Sequence, residues 1–184
     1  MEYHTREYPL FSACGLNCGL CPRYHTNGSS RCPGCAGEGF SKVHPSCGVL
    51  SCCQRKGLEY CFSCVDYPCT KYDGADLKDS FISHKNQFTD VERAKLIGIE
   101  AYKAELSAKM TILKELLKDF DDGRRKGAYC LAVNLLDMQD IKTVMSRLAD
   151  DVEPQATVKI KAATAVRLFQ AMAEEKGIML KLRK

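Results

Sequence analysis

No stretch of the chain approaches the roughly 18 to 20 apolar residues that a membrane-spanning helix needs, because charged residues interrupt every hydrophobic run. Met1 to Ala13 has acidic residues near its start and no apolar run of signal-peptide length, which predicts a soluble, cytoplasmic protein that is not exported. The common catalytic signatures are also missing. There is no His-Glu-x-x-His helix, no phosphate-cradling glycine loop and no Gly-x-Ser-x-Gly elbow. No catalytic or cofactor-contacting residue is therefore assigned, and an enzyme is the weaker expectation. Asp66, Asp121, Asp122 and Asp137 read as loop and cap residues, and Tyr129 and Asn134 as packing. Large apolar side chains are scarce in one region: the 56 residues from Cys14 to Cys69 contain only nine of the Leu, Val, Ile, Met and Phe class. So few cannot offset the entropy of ordering that much backbone.

The same region holds an excess of cysteine. Eleven of the twelve cysteines lie between Cys14 and Cys69, and only Cys130 lies elsewhere. This break in composition predicts two units. Residues 1–72 should be a small, irregular cysteine-rich module of zinc-ribbon or knuckle type, and residues 73–184 an all-α helical domain. In a reducing cytosol a dense cysteine cluster reads as metal ligation before disulfides. The pairs Cys18/Cys21, Cys32/Cys35 and Cys61/Cys64 share the Cys-x2-Cys spacing, which lets one tight turn aim two sulfurs at one ion. The strongest single signal is Cys32-Pro33-Gly34-Cys35 followed by Gly37, since proline presets φ after the first sulfur and glycine tolerates positive φ near the second. The ions would supply the folding free energy that the missing apolar core does not, as structural zinc does in modules that are unfolded without it.

The expected metal ligands are Cys14, Cys18, Cys21, Cys32, Cys35, Cys47, Cys52, Cys61, Cys64 and Cys69, and zinc, as two ions, is the expected metal. One partition places Cys18, Cys21, Cys32 and Cys35 on a first ion and draws the second set from Cys47, Cys52, Cys61, Cys64 and Cys69. An interleaved cross-brace, or a third site using His25 or His44, fits the spacing as well, although both histidines read more simply as solvated loop residues. Cys53 is the first choice for a spare thiol, because a ligand next to Cys52 finds it hard to face the same ion. An iron-sulfur cluster is the alternative: Cys14-x3-Cys18-x2-Cys21 has the three-cysteine spacing of enzymes that cleave S-adenosylmethionine. The α/β context such enzymes need does not follow it.

The formal charge of +4 divides into +1 for residues 1–70 and +3 for the remainder. A tetrathiolate zinc site carries a net charge of about −2, so zinc binding would turn the front region acidic. That removes the default electrostatic case for nucleic acid, which stays as a further alternative.

Beyond Cys69, Thr89-Asp-Val-Glu92 fits a capping box and predicts a helix from about Asp90. Its stripe is Met110, Leu113, Leu117 and Phe120, and Asp121-Asp122-Gly123 should end it. Ala128 to Leu136 is apolar nearly all round and predicts the central helix, with Cys130 buried as a small apolar residue. Asp137 should cap a helix carrying Ile141, Val144, Met145 and Leu148. Pro154 suits the first turn of the last helix, with Val158, Ala162, Ala165, Phe169 and Met172 inward and Gly177 closing it. The alternation of Ile178, Leu180 and Leu182 predicts a short C-terminal strand, and Lys181, Arg183 and Lys184 a solvated basic end.

Cys14-Gly-Leu-x-Cys18-x-x-Cys21-Pro-x-Tyr24, Cys32-Pro-Gly-Cys35, Cys61-x-x-Cys64 and Tyr67-Pro-Cys69 resemble the pattern of a family of cysteine-rich prokaryotic proteins, domain of unknown function 3795. The resemblance covers about residues 12 to 105. It implies zinc binding through the matching cysteines and no established activity. The expected function is thus a zinc-stabilised interaction or regulatory module that acts on an unidentified protein partner.

Overall fold

The computed structural model describes residues 4–153 and 155–184; Pro154, expected in the first turn of the last helix, lies outside the described residues. Among those residues the regular structure is entirely helical, with no strand. The helices are α1 (Phe40–Val43), α2 (Gly48–Arg55), α3 (Gln87–Ile97), α4 (Ile99–Asp119), α5 (Lys126–Leu135), α6 (Met138–Asp151) and α7 (Val158–Glu175), with 3-10 turns at Cys18–Leu20, Cys61–Ser63 and Thr70–Tyr72. No helix is long and apolar enough to cross a membrane.

The expected C-terminal strand does not form, and no hairpin of the zinc-ribbon kind is present among the described residues. A single extended segment has nothing to pair with in an all-helical chain. The tail is held by side-chain chemistry instead. Arg183 donates from Nε and Nη2 to Asp79 Oδ1 at 3.2 and 2.8 Å, its amide donates to Asp79 Oδ2 at 2.8 Å, and its Nη1 meets Asp76 O. The Asp79 side chain is fully buried. Arg183 is therefore an anchor, not part of a solvated basic end.

Burial opposes ionisation of Asp79, but the Arg183 guanidinium and the amides of His84 and Arg183 outweigh it and bring the carboxyl down to about 2. The linked stability is present above the ordinary aspartate value of about 3.9 and is lost as pH falls through the folded value. Replacing Arg183 with alanine leaves a buried carboxylate without its partner, and the expected loss is about 3 kcal/mol. Urea unfolding at pH 7 and pH 3 checks it: the gap between variant and parent should narrow at the lower pH.

The chain divides into two compact units, Met1–Leu106 with Leu182–Lys184, and Ser107–Lys181. The cysteine-rich segment ends by composition near residue 72, whereas the unit that contains it continues through α3 and the first turns of α4. The capping-box start at Thr89 is displaced: α3 begins at Gln87 with Asn86 as its N-cap. Gln87 is buried and donates from Nε2 to Cys14 O at 2.8 Å, so a tertiary bond fixes that turn. Gly98, at φ 86° and ψ 148°, separates α3 from α4 where a single helix was expected.

The second unit follows its apolar periodicities. α5 is the buried centre, with Tyr129, Cys130, Ala132, Val133 and Leu135 inward. Ile141, Val144 and Leu148 of α6, and Ala162, Ala165, Phe169 and Met172 of α7, are buried as their spacing predicts. Four positions differ: Leu116 replaces Leu117 in the core face of α4, Phe120 and Met145 are only half-buried, and Val158 at the start of α7 is exposed. α7 is capped by Thr157, whose hydroxyl accepts from the Ile160 amide at 3.4 Å. Asp137 occupies the N-cap of α6 without a side-chain cap bond.

Candidate metal centre

Two of the three Cys-x2-Cys pairs fold as tight turns. The Cys21 amide donates to Cys18 O at 3.1 Å, and the Cys64 amide donates to Cys61 O at 2.9 Å, which closes the 3-10 turns. The third pair is shaped by close approach. The Cys35 amide donates to Pro9 O at 2.8 Å. Gly34 sits at φ +92°, and a Cβ there would lie 2.6 Å from Pro9 O. Gly37 is required for room and not for its φ, since its Cβ would lie 2.7 Å from Pro33 O.

A strap at the beginning of the described chain ties these loops together through main-chain bonds. The Arg6 amide donates to Ala36 O at 3.1 Å, Gly19 to Leu10 O at 2.9 Å, and Cys61 to Ala13 O at 2.8 Å. Helices α3 and α4 hold the first loop from the other direction. Asn17, buried between Cys14 and Cys18, donates to Asp90 Oδ2 at 2.9 Å and accepts from the Tyr102 hydroxyl at 3.0 Å. Gly15 fits against α3 so closely that a Cβ would lie 2.4 Å from Val91 Cγ2.

The loops so held bring sulfur together. One buried cluster contains Cys32, Cys35, Cys53 and Cys61, with Cys14, Cys18 and Cys47 packed against it. None of the twelve cysteines forms a disulfide. Cys35 lies within electrostatic reach of Cys14, Cys18, Cys47 and Cys53, and Cys18 within reach of Cys14, Cys21, Cys32 and Cys35. Burial pushes the Cys14 thiol up to about 12, with the neighbouring Cys35 adding to the effect, and raises Cys18 and Cys35 as well. Against burial stand main-chain donors. Amides of Leu16, Ala13 and of Arg23 and Tyr24 point at the sulfurs of Cys14, Cys35 and Cys21. The Leu50 amide, in the first turn of α2, donates to Cys47 Sγ at 3.5 Å. Such bonds favour the thiolate.

Seven of the ten expected ligands line two clefts. Cys18, Cys21 and Cys32 share a small cleft of about 60 Å³ with Arg23, Tyr24 and His44. Cys52, Cys53, Cys61, Cys64 and Cys69 line a larger one of about 250 Å³. Cys53, set aside as a spare, is buried beside Cys61 and belongs to the sulfur cluster. Among the described residues, no three His, Cys, Asp or Glu side chains stand as a ready-made metal-binding group. His25 donates from Nε2 to Gly19 O at 2.8 Å, and His44 stacks on Phe40 with its Nδ1 2.8 Å from Pro45 O.

Residues outside the cysteine pattern complete the surroundings. The Arg6 guanidinium is buried, donates to Phe11 O at 2.9 Å, pairs with Glu59 at 2.8 Å and reaches the Cys35 sulfur. The Lys56 ammonium lies 3.2 Å from Cys64 Sγ and 2.9 Å from Asp66 Oδ2. No spacing rule marks either cation, because each meets its sulfur through a turn of the chain and not through local periodicity.

This order of cysteine loops, strap and knuckle-like turns coincides with a known sequence family. Residues 10–74 match the DUF3795 family, described as protein of unknown function. The DUF3795 match spans the eleven cysteines from Cys14 to Cys69 and ends before α3. No curated protein and no solved structure matches the chain.

Proposed function

We propose that this is a zinc protein whose cysteine thiolates hold about two structural ions, and that the fold so stabilised serves as an interaction or regulatory module without catalysis of its own. The observation that carries the reading is the convergence of cysteines from separate loops into one buried cluster without a disulfide. Neutral thiols packed only as small apolar residues gain nothing from amides aimed at sulfur. Four of the front-region sulfurs have such donors. A divalent cation would offset the burial that raises the Cys14, Cys21 and Cys35 thiols, and each ligand would give up its proton on binding. Thiolate is the donor type that structural zinc favours, and the eleven cysteines exceed the eight that two four-coordinate ions need. The inner ion would draw its four ligands from Cys14, Cys18, Cys21, Cys32, Cys35 and Cys47, and the outer one from Cys52, Cys53, Cys61, Cys64 and Cys69.

Removal of metal tests this directly. Excess chelator at pH 7 should unfold the Met1–Leu106 unit, while helices α5–α7 retain their circular-dichroism signal. Because protons compete for the same sulfurs, a given chelator should strip the metal more readily at pH 6 than at pH 8. Unchanged spectra and an unchanged melting temperature after complete metal removal would refute a structural role.

A further inference from the structure

One wall of the cleft that holds Cys18, Cys21 and Cys32 comes from outside the cysteine-rich segment. It consists of Ser80, Phe81 and Ile82. These residues follow the stretch that matches the family, which ends at residue 74. Ile82 is buried, whereas Phe81 is half-exposed with the Arg23 guanidinium 4.8 Å from its ring centroid. Arg23 lines the same cleft, and its carbonyl accepts from the Cys32 amide at 2.9 Å. The ring contact therefore joins the wall to the loop that carries the sulfurs.

The wall is part of a turn built on the Asp79 carboxylate. The Ser83 hydroxyl donates to Oδ2 at 3.2 Å and the His84 amide to Oδ1 at 2.8 Å. A fully buried carboxylate needs a charged partner. Burial lowers the His84 imidazole, so that ring is neutral at pH 7 and the counter-charge comes from Arg183. Arg183 meets both carboxylate oxygens, and its own carbonyl accepts from the Asp79 amide at 3.0 Å. Leu182–Lys184 belong to the same compact unit as the cysteine loops.

We infer that the Asp79–Arg183 pair is a latch: it holds the turn with Ser80, Phe81 and Ile82 against the cleft and so sets how readily a reagent from solvent reaches Cys18, Cys21 and Cys32. Without the guanidinium an uncompensated carboxylate lies beneath the wall, and water reaches it only when the turn lifts. Lifting the turn takes Phe81 and Ile82 away from the sulfurs. The latch acts on access and does not depend on what the sulfurs hold. Its effect is confined to one cleft, because Cys52, Cys64 and Cys69 line another that contains no residue of this turn.

Timed alkylation of the purified full chain with iodoacetamide, read cysteine by cysteine by peptide mass spectrometry, tests the latch. In Arg183→Gln the rates at Cys18, Cys21 and Cys32 should rise about 10-fold or more, as expected for breaking a buried pair, while those at Cys52, Cys64 and Cys69 stay at the parent values. Arg183→Lys keeps the charge but loses the fork, and should give a smaller rise at the same three positions. Phe81→Ala leaves the pair intact at a half-exposed position, and should also raise these three rates without lowering the melting temperature. A rise of equal size at all six cysteines in the arginine variants would show general loosening of the unit and overturn the latch. Parent rates at Cys18, Cys21 and Cys32 in both arginine variants would overturn it as well.

Discussion

Replacing Cys35 with serine is expected to strip the inner ion from the chain and to unfold the Met1–Leu106 unit. Cys35 reaches Cys14, Cys18, Cys47 and Cys53 from a buried position. Serine there substitutes a poor zinc ligand and leaves Arg6 facing a hydroxyl in a site built for sulfur. Losses of about 5 kcal/mol or more belong to the short list of mechanisms that includes removal of a metal, and this substitution joins it. The measurements are zinc per chain and a thermal melt followed by circular dichroism. The variant should bind less zinc and lose the transition of the front unit, while the helices of the Ser107–Lys181 unit melt as in the parent. Cys130→Ser, in the core of α5, should leave the zinc content unchanged.

Gly34→Ala should be nearly as damaging, for a reason that is independent of sulfur. The position sits at φ +92°, and the added Cβ would lie 2.6 Å from the carbonyl oxygen of Pro9, which already accepts from the Cys35 amide. Backbone in a disfavoured region costs about 1 to 3 kcal/mol. The clash adds to this because both of its partners are main chain and neither can swing aside. Gly28 provides the control. It has φ +85° with nothing within 4 Å of its Cβ position, so Gly28→Ala isolates the conformational cost, about 1 to 2 kcal/mol. The expected outcome in chemical denaturation is a larger loss at Gly34 than at Gly28, accompanied at Gly34 alone by lower zinc content. Equal losses would mean that the Pro9 contact can relax.

Why Gly34 matters could be read from its motif, because Cys-Pro-Gly-Cys carries its own conformational logic. α5, α6 and α7 were legible on similar grounds: each has an apolar stripe of its own, and helix periodicity is a local property. The start of α3 was not. Thr89 offered the better local cap, but Gln87 gains a bond to Cys14 O, a partner far away in sequence, and that bond sets the first turn. The C-terminal tail failed as a strand for the same kind of reason. Alternation of Ile178, Leu180 and Leu182 signals two-sided exposure, whereas the deciding contact is Arg183 with a buried Asp79.

Within the candidate metal centre the cysteines announced themselves by number and spacing. Their grouping did not, because Cys35 and Cys47 meet through folded loops and not through any repeat. Cys53 illustrates the limit most clearly. Adjacency to Cys52 suggested that the two side chains diverge, and on a helix they do point in different directions. The more buried of the pair is Cys53, which faces Cys61 on the inside of α2. Arg6 and Lys56 carried no signal at all, since isolated cations in a mixed-charge sequence look like any other surface residue until a sulfur is found beside them.

The central claim is that sulfur-to-ion bonds shape the front of the chain, and elemental analysis of the purified protein, taken together with its visible spectrum, tests it most directly. The account predicts about two zinc ions per chain and a colourless solution. A metal-free protein that is fully folded, or a brown one with absorbance near about 400 nm from iron bound to thiolate, would contradict it.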